Sequence, residues 1–434
     1  MSNKQVIDAN PTKDFFIRML TKDIPLIRAI IDLVDNSVDG ALREHPDKNF
    51  AGLWVKLSID ETKFVIEDNC GGIPTDIARQ YAFRFGRPDG AASTPNSVGL
   101  FGVGMKRAIF KMGGYFEVES KTQESHFRVR QNIEEWRKLD EWEFQLEDIT
   151  SSNQSLKEEG TRITVSELYP VISEQFKLEN FLITLRIQLE AAQQISIENG
   201  LVITVNGKPL EATMLYLCQS EKVVPGYAHF TLDAFPDVSV KIYTGIYKRD
   251  LVKGGWYLFC NSRLVLFADQ TSETGWDDSG GLPKYHPDFA YSRGYVYFES
   301  SDASLLPWNT TKTGVDTDSP IFKMVRQQMI ALMLPVTKWL RSSLAEEKKE
   351  SGEEGELHLA LAATKEVSVS ELKIAPQSFS APSFVRTTDP SFASIQYKVS
   401  AERAERVRKQ LGVKSNSELG RETFEYYYKL ECED

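Results

Sequence analysis

Asp32 and Asn36 stand four residues apart in D-L-V-D-N-S-V-D-G, the spacing of neighbours on a helix surface. A carboxylate so placed accepts a proton from an attacking water, and an amide oxygen is a hard ligand for a Mg²⁺ ion that otherwise keeps waters and phosphates. Taken alone, the pair fits a solvated polar helix face at least as well. Asp68 ends the apolar stretch K-F-V-I-E-D and precedes Asn69-Cys70-Gly71-Gly72-Ile73. A carboxylate leaving a strand into a glycine turn can accept a hydrogen bond from an exocyclic amine, although a tight Asx turn uses the same residues. The run Gly99-Leu100-Phe101-Gly102-Val103-Gly104-Met105-Lys106 sets three glycines before a helix. There backbone N–H groups can approach phosphate oxygens, and Lys106 adds a point charge. A structural glycine turn is the other reading of this run. It is not a Walker A loop, because Met105 separates Gly104 from Lys106 and Arg107 follows, and its spacing is not that of a Rossmann fingerprint.

These residues need elements to hold them. From Asp23 to Glu44, Ile27, Ile31, Val34 and Val38 fall on one helical stripe, with Asp32, Asn36 and Asp39 on the opposite side. Strand-like runs L-W-V-K-L-S-I and K-F-V-I-E-D follow, then a helical stretch through I-A-R-Q-Y-A-F-R-F. The segment G-R-P-D-G-A-A-S-T-P-N-S is too rich in Gly, Pro and Ser for regular structure and reads as a mobile loop. Beyond the glycine run and its helix, Y-F-E-V-E-S, H-F-R-V-R-Q and T-R-I-T-V-S-E-L alternate as an antiparallel sheet does. A second block from Gly200 to Leu344 opens with L-V-I-T-V-N-G-K-P-L and closes on a long helix that Ser319 caps and Pro320 begins. E-E-K-K-E-S-G-E-E-G-E then predicts a solvated linker or helix end.

The chain has 434 residues, a formal net charge of −11 and 41% hydrophobic residues, an ordinary globular composition that suits two or three domains. The acidic balance argues against a nucleic-acid coat that binds through overall charge. Cys70, Cys218, Cys260 and Cys432 form no C-x-x-C pair, so neither a disulfide framework nor a cysteine zinc cluster is expected. A reducing cytoplasm fits best. No stretch reaches the length needed to span a bilayer, and no membrane partner is expected.

In order, D-L-V-D-N-S-V-D-G, D-N-C-G-G-I-P, G-L-F-G-V-G-M-K and Gly160-Thr161-Arg162-Ile163 resemble the motifs of the GHKL or Bergerat-fold ATPases, among them gyrase B, the ninety-kDa heat-shock chaperone, histidine kinases and MutL. The likeness spans about residues 15 to 170, more loosely to about 345, and is strongest to the MORC and MutL side. It implies an α+β chain: a Bergerat-fold ATPase α/β sandwich over 1–195, an α/β transducer-like domain over 196–345, a linker over 346–393 and a small strand-helix-helix module over 394–434. It implies ATP and Mg²⁺ as cofactors. By resemblance Asp32 activates water, Asn36 ligates Mg²⁺, Asp68 reads the adenine amine and Gly72 gives the base room. Gly99, Gly102, Gly104 and Lys106 cradle phosphate, Thr161 assists at the adenine end, and Lys312, in the loop Pro307 to Gly314, reaches the γ-phosphate. Two residues depart from the family pattern. Asp32 replaces the usual Glu and is one methylene shorter, which implies slow hydrolysis, and Cys70 replaces the first glycine of D-x-G-x-G.

The order of strand, helix, capped turn and helix over Ser394 to Leu430 resembles ribbon-helix-helix modules, dimers whose paired strands enter the DNA major groove. With Ile395, Tyr397 and Val399 inward, Gln396, Lys398 and Ser400 face outward toward base edges. Between Ile395 and Arg421 seven basic residues stand against three acidic ones, which favours DNA; a dimerisation tail is the other reading. The leading expectation is an ATPase acting as a dimerising switch in a DNA-linked process, genome maintenance or defence. Two copies close over Mg-ATP, the region Asn10 to Phe16 braces the partner, and the tail joins protomers or binds double-stranded DNA. One rival is a transcription regulator that senses nucleotide with little turnover. Another, a histidine kinase, lacks a His before the Asp32 helix to accept phosphate.

Overall fold

The computed structural model describes residues 12–86, 95–99, 102–149, 156–277, 281–309, 311–347, 356–382, 395 and 397–432. The chain is α+β. Thr12 caps α1 (Lys13–Lys22) by accepting from the Phe15 N–H. Its Lys13 amine donates to the carbonyls of Trp136, Leu139 and Glu141, which ties the helix to the body. Of the segment expected to brace a partner, Asn10 lies outside the described residues and Phe15 faces outward. Phe16 is turned inward, its ring 5.0 Å from Phe85 and 5.4 Å from Trp142. The expected Asp23–Glu44 helix is α2 (Leu26–Glu44), which buries Ile30, Ile31, Val34, Val38 and Ala41. Its neighbour on the sheet is α4 (Gly104–Met112), and between them α3 (Thr75–Ile77) runs into a π turn over Ala78–Ala82.

The layer beneath is an eight-stranded sheet of β1 (Trp54–Ile59), β2 (Phe64–Asp68), β3 (Gly113–Lys121), β4 (His126–Asn132), β5 (Leu146–Asp148), β6 (Gly160–Leu168), β7 (Val202–Val205) and β8 (Lys208–Pro209), ordered β5-β4-β3-β6-β2-β1-β7-β8. Only the β1–β7 pair in it is parallel among the described residues. Strands β7 and β8 come from L-V-I-T-V-N-G-K-P-L, which the sequence reading gave to the second block. Their alternating apolar residues Ile203 and Val205 complete the first core instead, after α5 (Ile133–Arg137), α6 (Pro170–Lys177), α7 (Glu179–Ala192) and α8 (Gln194–Glu198).

Within the same compact unit, which runs to residue 383, a second sheet of five strands is preceded by β9 (Tyr216–Gln219) and made of β10 (Gly226–Leu232), β11 (Phe235–Ile246), β12 (Gly255–Cys260), β13 (Arg263–Asp269) and β14 (Ser292–Ser300). The long helix α9 (Pro320–Glu347) lies across it and begins as expected, with the Phe322 N–H donating to Ser319 Oγ. Much of the expected linker is folded. Helix α10 (Glu356–Ala362) leads into β15 (Lys365–Ser368), which pairs with β9, and Gln377 bridges Tyr227 at the sheet edge. The reason is local: after the Glu-rich run, Leu357, Val369, Leu372 and Phe379 supply apolar anchors, all of them buried.

The C-terminal residues from 384 on form a separate unit. In it α11 (Ala401–Leu411) ends at Gly412 in the left-handed conformation, and α12 (Asn416–Glu431) starts with the expected Ser415–Glu418 capping box. The expected strand is not formed: Ile395, Tyr397 and Val399, placed inward by the sequence reading, are exposed, and 397–400 pair with no strand among the described residues. A ribbon edge has no partner within one copy of so short a module. Lys398 and Ser400 are exposed, Ser400 capping α11, and Gln396 lies outside the described residues.

Candidate functional site

Strand β2 alternates, so Phe64, Ile66 and Asp68 share the inward face, and the row ends in a carboxylate where the sheet opens onto a cavity of about 650 Å³. Asp68 Oδ1 accepts from the Cys70 N–H at 3.0 Å and the Thr161 N–H at 3.2 Å, and Oδ2 accepts from the Ser37 hydroxyl at 2.7 Å. Burial nevertheless raises its pKa above the ordinary carboxylate value. Thr161 stands beside it, its hydroxyl 2.9 Å from that of Ser120. Cys70 fits without a glycine's freedom because its backbone does not enter the left-handed region. Gly72 also has a structural role. At φ +70° its absent Cβ would stand 2.1 Å from the Lys121 carbonyl oxygen, so the glycine accommodates close backbone as well as lining the cavity.

One side of α2 forms the cavity floor, where Asp32, Asn36, Asp39 and Arg43 follow each other up the helix. Asp32 is buried and receives a short hydrogen bond from the Arg107 guanidinium, a partner the motif comparison missed although it directly follows Lys106. Asn36 is exposed to the cavity and makes no hydrogen bond among the described residues. Lys312, in the loop between β14 and α9, lies on the cavity wall, its amine 3.9 Å from Asp32 Oδ1 and 3.0 Å from Asp35 Oδ2. Thr310 of its loop lies outside the described residues.

Asp35 is fully buried; its Oδ1 also accepts from Gln193 Nε2 at 2.6 Å and its Oδ2 from Arg263 Nε at 3.4 Å, the same nitrogen lying 3.1 Å from Oδ1 as an ion pair. Burial drives its pKa up, but Lys312 and Arg263 together hold it below the ordinary value. One signal in the sequence pointed to it: Asp35 falls on the helical line of Ile31, Val38 and Leu42, and a carboxylate within an apolar stripe must find buried partners. Nothing local in the sequence marks Arg263.

The glycine run differs in part from a simple phosphate cradle. Gly104 opens α4, and a Cβ there would stand 3.5 Å from that of Asp32; Gly102 is left-handed at φ +64°. Gly99 lends its N–H to Asp39 Oδ2 at 2.7 Å, and Val98 donates to Oδ1 at 2.6 Å. Burial pushes the Asp39 pKa up to about 6. The amine of Lys106, expected beside phosphate, instead donates to the Ala82 carbonyl at 2.8 Å, and desolvation lowers its pKa to about 7.

The donor set fits a nucleotide with its metal. Asp68 offers only acceptors, which suits one amine donor on a flat base. At the other end Arg107 and Lys312 line the cavity beside Asp32, and the buried Arg107 Nε has no partner among the described residues, which suits an anion. No cluster of three metal-binding side chains occurs among the described residues. The Asn36 amide oxygen, open to the cavity, is a hard donor of the kind Mg²⁺ takes together with waters and phosphates. Residues 24–161 match the family model described as histidine kinase-, DNA gyrase B- and HSP90-like ATPase, a span that holds Asp32, Asn36, Asp68, Gly72, Gly99, Gly102, Gly104, Lys106 and Thr161 but not Lys312. No curated protein matches the chain.

Proposed function

We propose that the chain, which carries a GHKL-type ATPase domain over residues 24–161, hydrolyses Mg-ATP and uses it to switch the second domain. The observation that supports this reading is that Asp68, Asn36, Asp32 and Lys312 line one cavity although Lys312 comes from outside that domain. Asp68 accepts from the adenine amine, with Thr161 beside it. Asn36 would hold Mg²⁺, which neutralises phosphate charge and orients the triphosphate. Asp32 Oδ1, the oxygen not taken by Arg107, accepts a proton from water as its oxygen attacks the γ-phosphorus; the bond to the bridging oxygen breaks and ADP leaves. Lys312 neutralises charge on the γ-phosphate and so couples the second domain to the chemistry.

In this reading two copies close over nucleotide, and the C-terminal unit joins protomers and contacts double-stranded DNA in a genome-maintenance or defence process. What favours DNA is the basic α11, where Arg403, Arg406, Arg408 and Lys409 accompany exposed Lys398. The pairing of the short Asp32 side chain with Arg107 favours a second reading, a nucleotide-sensing transcription regulator with little turnover. Turnover and calorimetric binding of Mg-ATP, measured on the parent and on Asp32→Asn, separate the two. The first reading expects the variant to bind ATP yet turn over roughly tenfold or more slowly, about 1.4 kcal/mol in the barrier. A parent that binds without turnover supports the regulator, and a parent that does not bind overturns both.

A further inference from the structure

We infer that Asp35 is a positioning residue, holding the Lys312 amine at the wall of the nucleotide cavity from a fully buried seat between α2 and the second sheet; this rests on the γ-phosphate role proposed for Lys312. Lysine carries its charge on a flexible four-carbon stem, so a loop lysine left to itself samples many positions. Here the loop supplies only the backbone, with Lys312 in the left-handed region at φ +53° and its N–H bonded to the Asn309 carbonyl at 3.0 Å. The side chain is then aimed by Asp35, whose Oδ2 accepts from the amine at 3.0 Å.

Neutralising Asp35 does not require Lys312. Arg263 lies 3.1 Å from Oδ1 and is as deeply buried, and Gln193 adds a neutral donor to the same oxygen. Arg263 does not line the cavity, whereas Lys312 does. A buried ion pair is weak evidence for stability in itself. The division is therefore one cation that balances the carboxylate and a second that the carboxylate delivers to the site. The distance of 3.9 Å from the Lys312 amine to Asp32 Oδ1 places the delivered charge beside the proposed base without closing a second tight pair.

A double-mutant cycle on the full chain tests this, with kcat and KM for Mg-ATP measured separately. Lys312→Met lowers kcat roughly tenfold or more, and Asp35→Asn does the same while KM moves less than about threefold, because the Asp68 end is untouched. The combined variant is then no slower than Lys312→Met within about twofold, since Asp35 acts only through the lysine. Losses that multiply in the combined variant overturn the inference. A Lys312→Met variant with parental kcat instead removes the role of Lys312, a separate failure. Because Asp35→Asn leaves two cations facing each other, Asp35→Asn/Arg263→Met is the second form, checked for folding by near-ultraviolet circular dichroism. Where turnover is too slow to time, labelling with an amine-reactive reagent, read at Lys312 by peptide mass spectrometry, decides. Lys312 should label more slowly than the exposed Lys323 in the parent and about fivefold faster without Asp35; an unchanged rate overturns the inference.

Discussion

Replacing Asp68 by Asn changes two atoms' chemistry and almost no volume. In the parent the carboxylate takes three donors, the N–H groups of Cys70 and Thr161 on one oxygen and the Ser37 hydroxyl on the other, and still offers a lone pair to a base. In the variant the amide oxygen stays with the two backbone N–H groups, which cannot turn away. The NH₂ must then stand where Oδ2 was. Ser37 can rotate to accept from it, but the adenine amine meets a donor. Loss of a hydrogen bond to a charged group is worth about 1.5–3 kcal/mol, and the donor left unpaired in the closed pocket costs about 1–3 kcal/mol more. Together these amount to about 2.5–6 kcal/mol, or about two to four decades in Kd. The fold itself should survive, because burial raises the Asp68 pKa and a neutral amide avoids burying that charge. Titration calorimetry with a non-hydrolysable ATP analogue and Mg²⁺ measures the loss, and thermal unfolding checks the fold. Affinity within about threefold of the parent in a folded variant would refute the assignment of Asp68 to the base.

The buried Lys106 amine, with a pKa lowered to about 7, binds fewer protons folded than unfolded between about pH 7 and 10, so this group makes the parent gain up to about 1.4 kcal/mol of stability per pH unit there. Lys106→Met should lack that gain; denaturant midpoints at pH 7 and 9 that shift alike in parent and variant would contradict the burial. Gly72→Ala should destabilise the nucleotide domain by about 2 kcal/mol or more, from the left-handed strain and the approach to the Lys121 carbonyl, with chemical denaturation as the measure. An unchanged midpoint there would mean the turn is not tight. In the C-terminal unit, Lys398→Ala should leave self-association intact and lower the salt slope of DNA binding by about one. Val399→Asp, at an exposed apolar position, should weaken self-association as read by sedimentation; a slope unchanged by the first variant would leave the tail an assembly device without a DNA role.

The α2 stripe, the alternation that turns Asp68 inward, the Ser319 cap, the Gly412 end and the Ser415–Glu418 box are all set by neighbours within a few residues, and each was legible in the sequence. So was the fold class, because periodicities of 3.6 and 2 separate helix from strand before any packing occurs. What depended on distant chain was not legible. Strands β7 and β8 are ambiguous locally, and only the pairing of β7 with β1, and of β8 with β7, assigns them to the first sheet. The bond from the Lys106 amine to the Ala82 carbonyl joins residues 24 apart in the chain, a pairing that packing and not spacing decides. Arg263 and Gln193 meet Asp35 from 228 and 158 residues away, through a contact that no spacing rule encodes. Local sequence thus set the helix and strand faces that carry Asp32, Asn36 and Asp68. Only tertiary structure decided which charges meet, because a buried carboxylate takes whatever donors distant parts of the chain bring within about 3 Å.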